Sequence, residues 1–347
     1  MAESKRDTGL DVVRSLAICM VVLIHVSAGY VLAVLPPGEP GWWAALLWSG
    51  PARMAVPLFF MCSGALMLTR EVSPRRLLKH NLPRILAAMF FWAFVHRLAS
   101  LLSAGELSPV RVWEAVKQTL LFQHEFHFYY LHILLVVYAF LPALAVFVRS
   151  ATRREMEYLL GVWFVVGVLC PILPIFWPFS LVPPIQSWWT LGLTFTCVGY
   201  ALLGHYLRKF GPSAAPRRYI AALLLGALIT IGGTAWFSLK SGVLHEAFLG
   251  GNTPGAFLMA YGLFGLAVSK RAYPSFVAKS AQRLSRASFC IYLTHYLFQR
   301  LFARLGLGGA MAPYALTIPG MALVILGASY LLWEVLHRVP VVNKYLI

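Results

Sequence analysis

Residues 11–35, DVVRSLAICMVVLIHVSAGYVLAVL, are apolar enough to cross a membrane as one helix. They nevertheless carry Arg14 near the start and His25 in the middle. Both cost free energy in hydrocarbon, a few kcal/mol for an arginine at a helix centre and less near an end. At about 100° and 1.5 Å per residue, the 11-residue spacing puts the two within ~20° of one face and ~16 Å apart along the axis. One side of the first membrane helix thus shows a cation near one surface and a titratable imidazole deep inside, as a reaction path along that face would need.

The composition agrees with that opening. Of 347 residues, 60% are hydrophobic and only 12% are Asp, Glu, Lys or Arg, with a mean hydropathy of +0.73. A soluble domain carries about 25% charged residues. A net charge of +17 raises the question of nucleic acid. The basic residues, however, sit in short patches between apolar spans, without interleaved exposed aromatics, so no nucleic-acid partner is expected. The five cysteines all lie inside apolar runs without a CxxC or metal spacing, and read as buried small residues. The N-terminal apolar run is too long for a cleavable signal peptide.

Ten apolar segments reach spanning length: approximately 11–34, 42–68, 85–104, 127–148, 158–178, 188–207, 219–238, 252–269, 287–307 and 315–335. Placing 1–10, 69–84, 149–157, 208–218, 270–286 and 336–347 on the cytoplasmic side collects, with Arg14, 22 of the 29 Lys and Arg there. The opposite loops hold only Arg111, Lys117 and Lys240, and the other four (Arg53, Arg97, Arg300, Arg304) lie in or near spans. That alternation is the positive-inside pattern. The expectation is an all-α polytopic membrane protein of about ten helices with both termini cytoplasmic. Residues 109–122 are amphipathic and suit the outer surface. The outer segments 105–126 and 239–251 are too short to fold alone.

Several intramembrane polar groups admit two readings. Arg14 is either a snorkelling anchor paired with Asp11 or part of a functional face with His25. A lone membrane histidine is often satisfied by a helix–helix hydrogen bond, but the shared face with Arg14 favours function. Arg53, in SGPARMAVPLFFMCSGALML, stands at a depth similar to His25. It either snorkels outward or stabilises developing negative charge near His25. His127, Tyr129, Tyr130 and His132, in HEFHFYYLHILLVVYAFLP, fit an interfacial aromatic belt and equally a sugar site. The loop SPRRLLKHNLPR, with Lys79 and Arg84, either sets topology or binds a phosphate-rich cytoplasmic ligand beside Arg14. His295 and Glu334 are further embedded ionisable groups to which the sequence assigns no step.

Four motifs, in order, resemble the membrane acyltransferase 3 family. LDVVRSLAICMVVLIH matches its R-x10-H signature, and VPLFFMCSGALML looks like its second-helix motif. HFYYLHILLVVYAFLP looks like its fourth-helix motif, and CIYLTHYLF like its late Ile-Tyr-Leu-x-His motif. The resemblance implies an O-acyltransferase that takes acetyl from cytoplasmic acetyl-CoA and passes it to a sugar hydroxyl at or beyond the outer face. It carries the family's arginine and histidine to Arg14 and His25, and its second-helix arginine to Arg53. Its basic third-helix motif, R-x-x-R, is matched at Arg84 but has Asn81 in the first position, with Lys79 and His80 beside it. Tyr129 stands where the family usually has Trp. No stretch resembles the SGNH-type esterase domain that many members add. The expectation is therefore one transmembrane acyltransferase domain over residues 1–347, similar to the standalone branch that includes the O-acetyltransferase of enterobacterial common antigen.

From these readings His25 and Arg53 are expected to be catalytic. Arg14, Lys79 and Arg84 would hold acetyl-CoA, and His127, Tyr129 and His132 the glycan or lipid-linked sugar acceptor. No metal is expected, and the location implied is the bacterial inner membrane, with membrane lipid as a further partner. The rival is a transporter or flippase for an anionic or glycan substrate, which should show paired broken helices in two related halves. A lipid-sugar glycosyltransferase should show an acidic motif near an outer loop, where only Glu106, Glu114, Glu125 and Glu246 stand, in no recognisable pattern.

Overall fold

Backbone groups in hydrocarbon have no water to bond, so each apolar segment must satisfy them internally. Each of the ten expected spans falls on a helix in the computed structural model, which describes residues 7–182, 188–211, 215–270, 272–307 and 313–347. No strand occurs among the described residues. The helices are α1 (Thr8–Ser27), α2 (Pro40–Met67), α3 (Pro74–Ala104), α4 (Pro109–Leu120), α5 (Phe126–Ser150) and α6 (Arg153–Ile175). They continue as α7 (Leu193–Phe210), α8 (Pro216–Ser241), α9 (Pro254–Ser269), α10 (Ser275–Phe302), α11 (Tyr314–Leu336) and α12 (Pro340–Tyr345). Seven of them, α1, α2, α3, α5, α6, α8 and α11, are long and apolar enough to cross a membrane. α9 is apolar but only 16 residues long. α7 ends in Arg208 and Lys209, and α10 opens with SFVAKSAQRLSR, so both are more polar.

α1 lies at the centre, packed against α2, α9, α10 and α11. Three hydrogen bonds hold it parallel to α10. The Ser15 hydroxyl donates to the Ala281 carbonyl at 2.8 Å, Arg14 to the Ser288 hydroxyl at 3.2 Å, and the Gln299 amide to the His25 carbonyl at 2.8 Å. The segments expected in the cytoplasm gather at one end. There Arg208 pairs with Asp7 at 3.2 Å and donates to the Ala65 carbonyl, while Arg84 donates to the Ile347 carbonyl. Lys5, Arg6 and Arg271 of that basic set lie outside the described residues. At the opposite end α4 leaves Val110, Trp113 and Leu120 exposed along its length, as a helix seated on a membrane surface does.

α2 is interrupted where it matters most. Pro57 has no N–H for the carbonyl four residues back, that of Arg53, and its ring crowds that carbonyl. The helix accordingly breaks into Pro40–Ala52 and Ala55–Met67, with Arg53 at the step. Below the break α2 meets α7 so closely that a Cβ on Gly64 would overlap the Ala201 carbonyl, and one on Gly204 the Met61 carbonyl. Small residues admit such backbone contact between membrane helices. Gly204→Val is therefore expected to cost about 1–3 kcal/mol through overpacking and to lower the melting temperature in detergent. Gly161→Ala, which meets nothing within 4 Å, is the control and should not lower it, alanine being the better helix residue.

Candidate functional site

Three adjoining spaces follow α1 from the basic end inward. The outermost is an open hollow of about 770 Å³ lined by Ser73, Arg75, Arg76, Lys79, His80, Asn81 and Arg84. A π turn over Leu77–Asn81 ahead of the straight part of α3 carries Lys79 and Asn81 into it. Asn81 and Arg84 also line the second space, an inner cavity of about 630 Å³ that reaches Arg14, Ser63, Tyr138, Arg286 and Trp333. Three cations from three helices thus border it: Arg14 of α1, Arg84 of α3 and Arg286 of α10. The third space, about 450 Å³, holds His25, Arg53, His127, Tyr129, Glu246 and Tyr292 on its walls.

Phe59 and Tyr130 line both the second and third cavities. Their rings lie 5.8 Å apart, and Tyr130 also packs at 5.1 Å on Phe60 and at 5.1 Å on Tyr292. Two aromatic side chains therefore form the wall between the basic cavity and the one that holds His25. Beyond His25 the first helix widens into a π turn, Ala28–Leu32, whose Ala28 and Gly29 line the third cavity without filling it. Such turns are frequent at functional sites.

Arg53 faces the same cavity as His25 because the break at Pro57 frees it from the helix wall. One of its terminal nitrogens donates to the Ser49 hydroxyl at 2.9 Å, and its Nε is buried without a partner. His25 stands among rings: His295 at 4.9 Å, Phe126 at 5.4 Å, His127 at 6.0 Å and Tyr296 at 6.2 Å. His127 is 1% exposed and packs on His96 at 5.2 Å and on His295 at 5.3 Å. Four histidines from α1, α3, α5 and α10 thus form one cluster, of which His25 and His127 line the cavity and His96 and His295 lie buried behind them. Among the described residues no group of three or more His, Cys, Asp or Glu is placed to hold a metal ion.

The start of α5 is held over this cavity from α10 and α3. Arg300 makes two bonds to the Glu125 carboxylate, at 3.1 and 2.7 Å, and another to the Ser100 hydroxyl at 2.9 Å. The Tyr292 hydroxyl donates to the His127 carbonyl at 2.6 Å, and Arg97 to the Gln123 carbonyl.

The structure brings together His25, Arg53, His127 and Tyr129 in one cavity, and Arg14 and Arg84 in the next, with Lys79 at the mouth. It does not bring His132 to either: that ring stacks on His124 at 5.4 Å and packs on Phe122. Glu334 accepts from the Tyr330 hydroxyl at 2.6 Å. The sequence assigns no role to Phe59, Glu246, Arg286 or His96, and offers Tyr130 only as part of an aromatic belt or sugar site. The sole advance sign of Glu246 is that it is the one acidic residue of segment 239–251.

A family model described as an acyltransferase domain, that of the acyltransferase 3 family, matches residues 7–334. The chain belongs to that family. It is a multi-pass membrane acyltransferase. No curated protein and no solved structure matches the chain. The matched residues contain every cavity-lining residue named above.

The Arg300–Glu125 pair predicts a local effect in this acyltransferase. Its hydrogen bonds are charge-assisted, worth about 1.5–3 kcal/mol where buried and less here, since the Arg300 side chain is 34% exposed. Arg300→Gln should raise hydrogen exchange of amides 124–128 on the order of tenfold, equivalent to about 1.4 kcal/mol. Exchange elsewhere should stay unchanged by mass spectrometry.

Proposed function

We propose that this protein is an O-acetyltransferase of the bacterial inner membrane. It would carry acetyl from cytoplasmic acetyl-CoA to a hydroxyl of a lipid-linked or cell-surface polysaccharide arriving from the opposite side. The observation that supports this most is the run of adjoining cavities from a basic mouth to His25. The polyanionic nucleotide end of CoA suits the hollow with Lys79 and the cavity bordered by Arg84, Arg14 and Arg286. The thin pantetheine arm matches the ~16 Å from Arg14 to His25, so its thioester passes between Phe59 and Tyr130 to reach the cavity beside His25. The acceptor sugar enters the third cavity, where Tyr129 offers an aromatic face and Glu246 a carboxylate for hydroxyl groups.

In the transfer, the acceptor O–H gives its proton to a neutral nitrogen of His25 while the oxygen attacks the thioester carbonyl carbon. Arg53 stabilises the tetrahedral oxyanion. The C–S bond then breaks, the electron pair leaves on the CoA sulfur, and the His25 imidazolium returns the proton to that thiolate. Acid–base bookkeeping closes without an external proton.

Purified protein incubated with [14C]acetyl-CoA and a membrane glycan fraction should transfer label. His25→Ala should lower the rate by at least about 10²-fold, and a wild-type rate in that variant would remove the base from the mechanism. Arg14→Ala should weaken CoA binding on the order of tenfold by calorimetry, since it takes away one charge-assisted contact. Unchanged CoA affinity would count against the phosphate-mouth role. Tyr130→Ala should raise acceptor-independent hydrolysis of acetyl-CoA, because it opens the wall to water beside the thioester.

A further inference from the structure

His295 shows a distinct pairing within the histidine cluster. Its Nδ1 lies 2.7 Å from the Tyr292 carbonyl and 3.1 Å from the Ile291 carbonyl. A carbonyl accepts only, so Nδ1 carries the hydrogen and Nε2 holds a bare lone pair. That Nε2 is fully buried with no partner, and the residue is 0% exposed. An unmet acceptor in such a place costs free energy unless a donor arrives. The nearest ring able to supply one is His25, with centroids 4.9 Å apart and planes 35° apart. The backbone of His25 is fixed toward α10 by Gln299, one turn beyond His295. His96 repeats the device on the far side of His127. Its Nε2 lies 2.9 Å from the Leu293 carbonyl, and its Nδ1 is buried without a partner.

We infer that His295 is the positioning residue for His25, its Nε2 accepting the His25 N–H so that the other His25 nitrogen presents its lone pair to the cavity. The inference rests on His25 being the base, and it names what sets the tautomer of that base. A neutral imidazole has one donor and one acceptor nitrogen, and only the acceptor can take a proton from an alcohol. Without a partner on the inner side, the two tautomers compete and the ring is free to turn. The long separation in the unliganded site is the ordinary condition of such pairs, which tighten when substrate is bound. His127, whose own two nitrogens have no partner, packs on both rings at 5.2 and 5.3 Å but lies farther from His295 than His25 does, and Arg300, on the same helix as His295, is committed to Glu125.

Two polar variants separate this role from simple packing. His295→Asn keeps a donor for the Tyr292 carbonyl but leaves nothing at the Nε2 position. His295→Gln places a carbonyl oxygen near the Nε2 position and gives up the donor. With [14C]acetyl-CoA and acceptor, kcat is expected to fall on the order of 10²-fold in His295→Asn, with KM for acetyl-CoA unchanged, and to be largely retained in His295→Gln. Equal activity of His295→Asn and wild type overturns the inference, and so does an equal loss in both variants when both still bind CoA. A variant that binds no CoA is replaced by His295→Ser, which likewise lacks the acceptor and should match His295→Asn. Should His25→Ala itself transfer acetyl normally, the base assignment fails. Should His25→Ala be inactive while His295→Asn is normal, the positioning role fails alone.

Discussion

The contact on which the molecule depends is the seam between α1 and α10. A charged or titratable group inside a membrane is tolerated only where protein or water meets it. The seam supplies that environment twice, once for Arg14 through Ser288 and once for His25 through the histidine cluster. Because Ser15–Ala281, Arg14–Ser288 and Gln299–His25 tie the two helices along their length, neither helix can rotate without breaking polar bonds in a low-dielectric setting. The cavities open along this fixed face. The break at Pro57 then brings Arg53 to the same place from a second helix.

Much of the architecture was legible from composition and apolar period alone. Helices in hydrocarbon announce themselves by length, and the clustered Arg and Lys of the linkers fall together at one end of the bundle. The common face of Arg14 and His25 was legible because it is a property of one helix. The segments at α7 and α10 have spanning length, yet both are more polar than their neighbours. α7 ends in Arg208, which is met by Asp7 and the Ala65 carbonyl, and the polar opening of α10 meets α1 through the Ala281 carbonyl and the Ser288 hydroxyl.

What the sequence did not disclose is whatever depends on four elements meeting. His96 reads as one residue in an apolar run, and nothing local ties it to His127, His25 or His295. His132, five residues after His127, stands beside it in the sequence motif. A helix turns about 500° over five residues, and the 3-10 turn at Phe126–Phe128 adds its own offset, so the two rings point to different neighbours. Glu246 arrives from a loop nearly two hundred residues beyond Arg53, a juxtaposition set by topology alone.

The pair Phe59 and Tyr130 has a bearing on the cell as a whole. A bilayer is useful as an insulator only while no column of water crosses it. A protein offering hollows from both surfaces comes close to puncturing the layer. Two packed rings stand where the hollows meet, so that any column of water through the protein has to pass them. The electrical tightness of the host membrane thus falls to the same two residues that border both cavities.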